Sequence, residues 1–145
     1  MPPLVPEQQH SDRTPTALVV DDQPEVREIA AAHLGALGYR VVEASDGHSA
    51  LDRLGDGSGV DILVADYAMA GMNGIELAAA ALGRRPALPV VIMTGYLDAR
   101  ALEREVHGAV LLKKPYRVAD LVAAVQRATH PGNDGGNVVA LRRRS

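Results

Sequence analysis

The chain has 145 residues, 47% hydrophobic and 23% charged, a balance that suits one globular domain with a real core. A net charge of −3 leaves no basic footprint for nucleic acid, and the absence of cysteine excludes disulfides, thiolate catalysis and zinc–thiolate sites. No apolar run approaches the roughly 20 residues that span a bilayer. The N-terminus also lacks the basic-then-apolar order of a secretory signal, so a soluble cytoplasmic protein is expected.

Residues 1–15 are polar and proline-rich without periodicity, which predicts a disordered leader. Ala17–Val20 is short, apolar and β-branched, a strand. From Pro24 to Leu37, Val26, Ile29, Ala30, Leu34 and Leu37 recur on one helical face and Gly38 supplies the stop. Arg40–Ala44 is a less apolar strand, as an edge would be, and Gly47–Leu54 a short helix ending at Gly55. Val60–Ala65 is the third strand, followed by a helix over Gly74–Leu82 that ends at Gly83. Pro89–Met93 is the fourth strand, with a helix near Leu97–Val106 behind it. Ala109–Leu112 is the fifth, and Val118, Leu121, Val122 and Val125 mark a last amphipathic helix. Residues 131–145 open on turn-formers and end in three arginines. They are expected to be a flexible basic tail, with nucleic-acid or partner contact as the minority reading.

Fivefold β–α alternation with continuous Val/Ile/Leu strands predicts an α/β domain over residues 16–130, a parallel sheet with helices on both faces. Ligands of such sheets sit beyond the carboxyl ends of the strands. There the first strand delivers Asp21-Asp22, the third Asp66, the fourth Thr94 and the fifth Lys114. Each has a plainer role: Asp22 as a helix cap at the spacing of a capping box, Asp66 as a loop aspartate, Thr94 as an ordinary strand end, Lys114 as a snorkelling surface lysine. Convergence of all four on one edge argues against coincidence.

Like-charged carboxylates about 4 Å apart repel by about 4 kcal/mol at an effective dielectric near 20. Three of them must therefore hold protons or recruit a cation. The five histidines fall within predicted helices or in or near the tails, so the donors are hard oxygens. They suit Mg²⁺, with Mn²⁺ as the alternative. Lys113 and Lys114 are the only lysines among 15 basic Lys and Arg side chains. Lysine offers a compact charge on a flexible stem, able to follow a phosphoryl oxygen. Strand alternation sends the two to opposite sides. Lys114, against Pro115 and a peptide bond that can be cis, is the working candidate, and Lys113 is surface charge.

Together, LVVDD, LVAD followed by M-x-G-M-N-G, MTG and KKPY, each at a strand end, resemble the receiver domain of bacterial two-component response regulators over roughly residues 16–130. The resemblance implies a doubly wound, flavodoxin-like sheet of order 2-1-3-4-5. It implies that Asp66 is the phosphoacceptor and that Asp22, Asp66 and the Ala68 carbonyl bind Mg²⁺, with Asp21 holding it through water. Thr94 and Lys114 would contact phosphoryl oxygens. The donor would be a phosphohistidine on a sensor kinase or phosphotransfer protein docking near the first helix. The output would be changed protein contacts, without a DNA-binding domain or a membrane, and with a homodimer through the helices near Leu97–Val106 and Val118 as an option. The protein would catalyse its own phosphorylation and dephosphorylation and turn over no separate substrate.

Departures from the family pattern are Leu111, where an aromatic switch residue is frequent, and Ala70, where proline is common. Tyr96 has two readings, a replacement for that aromatic or an exposed ring beside the pocket. Two other functions compete. A Mg²⁺-dependent phosphatase with an aspartyl nucleophile would want Asp-x-Asp after the first strand, where this chain has Asp21-Asp22-Gln23. A receiver-like binding module would keep the fold and discard the chemistry.

Overall fold

A computed structural model describes residues 13–55, 59–95, 102 and 108–130. Its strands are β1 (Thr16–Val20), β2 (Arg40–Ala44), β3 (Val60–Asp66), β4 (Val90–Thr94) and β5 (Ala109–Lys113). Its described helices are α1 (Pro24–Ala36), α2 (Gly47–Arg53), α3 (Gly74–Arg84) and α4 (Val118–Thr129). The strands form one parallel sheet in the order β2-β1-β3-β4-β5, as expected. The predicted helix near Leu97–Val106 lies outside the described residues except for Leu102, which is helical and buried. The leader over 1–12 and the tail over 131–145 also lie outside them.

Period-two alternation divides the core into two layers. Leu18 and Val20 of β1, Leu63 and Ala65 of β3, and Val90 and Ile92 of β4 point to the side covered by α2 and α3. Their neighbours Ala17, Val19, Ile62, Val64, Val91 and Met93 point to the side of α1 and α4. Strands β1, β3 and β4 are buried almost throughout, whereas β2 and β5 are partly exposed edges.

Helix α1 starts with Pro24 in its first turn, where the missing N–H costs nothing. It ends in a Schellman arrangement. Tyr39 N donates to Leu34 O (3.1 Å) and Gly38 N to Gly35 O (3.0 Å), with Gly38 at φ 103°. Its apolar face is narrower than expected. Ala30 and Leu34 are buried, but Ile29 is 54% exposed and Leu37 39%. Ile29 lies about 100° around the helix from Ala30, off the line that meets the sheet, and Leu37 is the cap beyond the last turn. Val118 is exposed in the same way at the start of α4. Gly83 does not end α3, which continues through Arg84. Among the described residues no helix is long and apolar enough to cross a membrane.

Candidate functional site

Two strand bounds differ from expectation in a way that matters. Asp66 is the last residue of β3 and Thr94 the last of β4, so the ladder itself holds both backbones. Asp66 is paired in register with Met93 and Thr94 with Lys113. One further bond, Lys114 N to Thr94 O (2.8 Å), carries the ladder to Lys114. The sheet therefore aligns Asp21, Asp66, Thr94 and Lys114 along its carboxyl edge. Asp21, Asp66 and Thr94 are buried, at 1%, 4% and 1% exposure.

Lys114 Nζ lies 2.6 Å from Asp66 Oδ1, an ion pair in which the lysine side chain keeps 29% exposure. Lys113, one residue earlier, points to solvent. The Lys114–Pro115 peptide bond is cis. The two neighbouring lysines thus stand in different surroundings, Lys114 at Asp66 and Lys113 at the surface. Leu111 is half-buried against the α2/α3 layer, and Tyr96 lies outside the described residues.

Asp22 is not the cap of α1. Gln23 holds the N-cap position without a side-chain bond, and Asp22 Oδ2 instead accepts from Ala70 N (3.1 Å), across to the loop after β3. Asp21 makes the local turn, its Oδ1 accepting from Gln23 N at 2.9 Å. Its Oδ2 is buried with no hydrogen-bond partner. Burial pushes the Asp21 carboxyl above its ordinary value. The Gln23 N–H opposes that shift, the nearby charge of Asp66 adds to it, Lys114 opposes it and Asp22 adds to it.

The donor chemistry fits a hard divalent cation: carboxylate oxygens only, one of them buried and unpartnered. Among the described residues no three acidic, histidine or cysteine side chains gather as a metal-holding group. Lys114 occupies Asp66 Oδ1 and the Ala70 N–H occupies Asp22 Oδ2, so two of the carboxylates already have partners of opposite polarity.

The family model of the response regulator receiver domain matches residues 17–126. The chain belongs to that family. The positive alginate biosynthesis regulatory protein of Pseudomonas aeruginosa is 42% identical over 118 residues, 79% of this chain and 47% of that regulator. The chain thus spans about half the length of this curated relative. A response regulator receiver protein from Sinorhizobium medicae superposes with a TM-score of 0.74 at 25% identity, covering 81% of this chain and 96% of that one. The response regulator TrrA of Thermotoga maritima, solved in complex with Mg²⁺ and beryllofluoride, gives 0.70 at 25% identity, covering 79% and 98%.

One residue of this receiver domain, Arg27, supports the edge without a signal in the linear sequence. Arg27 donates from a terminal nitrogen to the Asp21 carbonyl (2.9 Å) and from Nε to Glu43 Oε1 (2.8 Å), tying α1 to the ends of β1 and β2. Nothing in its local sequence separates it from any other helix arginine. Its role depends on β1 and β2 being neighbours.

Proposed function

We propose that this receiver domain accepts a phosphoryl group on Asp66 from a phosphohistidine of a sensor kinase or phosphotransfer protein, in a Mg²⁺-dependent reaction, and thereby changes its protein contacts. The observation that carries this reading is the buried Asp66 carboxylate with Lys114 Nζ at 2.6 Å, beside the buried Asp21 at the sheet's carboxyl edge. An Asp66 oxygen attacks phosphorus in line as the P–N bond breaks, and the imidazole keeps the electron pair and takes up a proton. Asp21, Asp22, Asp66 and the Ala68 carbonyl are the groups that would hold Mg²⁺, Asp21 through water. When bound, the ion offsets charge on the phosphoryl oxygens.

The protein's own share is positioning and neutralisation. Thr94 would donate to one phosphoryl oxygen. Lys114 would move from the carboxylate to another, a short excursion for a flexible stem. Of the separate residues, the leader, domain and tail are read as 1–15, 16–130 and 131–145. Incubation with acetyl phosphate and Mg²⁺ tests the reading. A hydroxylamine-labile phosphoryl label is expected on the wild type and none on Asp66→Asn. An unlabelled wild type, or an undiminished label on Asp66→Asn, refutes it.

A further inference from the structure

Gly74 opens α3, yet no unusual dihedral asks for glycine there: among the described residues the positive-φ glycines are Gly38, Gly59, Gly71 and Gly108. The demand is for space. A Cβ on Gly74 would strike the Asp66 carbonyl oxygen and come within 2.8 Å of Tyr67 Cα and 3.0 Å of the Asp66 carbonyl carbon. These are backbone atoms, which cannot swing aside as the end of a side chain can. The Gly74 N–H also donates to Tyr67 O at 2.9 Å. The first turn is also fixed internally. Asn73 Oδ1 accepts from Glu76 N (2.8 Å) while Glu76 Oε1 accepts from Asn73 N (2.9 Å), a capping box that fixes the first turn.

A second glycine holds the far side of the same loop. A Cβ on Gly47, the first residue of α2, would come within 2.6 Å of Met72 Sδ and 2.9 Å of Met72 Cβ. With Asp22 Oδ2 on Ala70 N, the segment between Asp66 and α3 is held from three directions.

We propose that Gly74 is a positioning residue for Asp66. By admitting the Asp66–Tyr67 backbone against the first turn of α3, it sets where the carboxylate stands relative to Lys114 Nζ and the acidic edge. This rests on Asp66 being the phosphoacceptor. A methyl group at 74 must push that backbone away, and displacements approaching 1 Å at a reacting group cost up to about a hundredfold in rate.

The test compares wild type, Asp66→Asn, Gly74→Ala and Leu34→Ala, a core control on α1, in acetyl phosphate labelling at saturating Mg²⁺ and in urea unfolding. Gly74→Ala is expected to lose at least about tenfold in maximal labelling rate, with its half-saturating acetyl phosphate concentration within about twofold of wild type. Leu34→Ala is expected to lose stability and keep both constants within about twofold. A Gly74→Ala rate equal to wild type, or equal losses in both variants, overturns the proposal. If Gly74→Ala does not fold, amide exchange of the wild type decides. Protection of the Gly74 N–H by at least about a hundredfold supports a clamped helix start, and unprotected exchange overturns it. An unlabelled wild type removes the phosphoacceptor reading and this inference with it, whereas a labelled wild type beside a fully active Gly74→Ala removes this inference alone.

Discussion

Replacing Lys114 with methionine keeps the length of the side chain and deletes the ammonium that sits 2.6 Å from Asp66 Oδ1. Two buried carboxylates at the same sheet edge, Asp21 and Asp66, then repel each other without that cation. Removing one partner of a fully buried ion pair costs roughly 3–5 kcal/mol. The Lys114 side chain is 29% exposed, so water screens part of the interaction and the expected loss is about 1–3 kcal/mol. Urea unfolding at pH 7 in a chelator measures it, with Asp66→Asn and the double variant completing a thermodynamic cycle. The double variant is expected to recover most of the loss, because no charge is left stranded. A Lys114→Met protein as stable as wild type, or a double variant whose loss is the sum of the two singles, would refute the pairing as the force that holds this edge together.

Asp21 makes a prediction of the opposite sign. Burial raises its carboxyl, so the folded state favours the protonated form; its contribution is full below the ordinary value of 3.8 and is lost as pH rises through the folded value. Asp21→Asn is therefore expected to gain on wild type in chelator as pH rises above the ordinary carboxyl value, and a pH-independent difference would contradict burial as the cause. Asn73→Ala removes one half of the capping box on α3 and should cost about 1 kcal/mol in urea unfolding; a change below about 0.3 kcal/mol would show that the helix start is held mainly by its packing on Asp66.

Alternation, the parallel sheet and the polar residues at its strand ends were legible in the linear chain, because these depend on short-range periodicity and on chain direction. Strand alternation was enough to separate Lys114 from Lys113, since successive side chains of a strand leave on opposite faces. What each group meets depends on the folded chain. Asp22 had the spacing of a helix cap, yet it bonds Ala70, 48 residues away, because the loop after β3 comes to rest beside β1. Ile29 shared a helical repeat with Val26 and Ala30, yet the sheet covers only the arc through Ala30 and Leu34. Arg27 looked ordinary in the linear chain, and Gly74 stood out only as the last position of a motif and the start of a helix. Their importance comes from contacts across neighbouring strands and helix starts, where the exclusion of even a single methyl group depends on coordinates that no local pattern encodes.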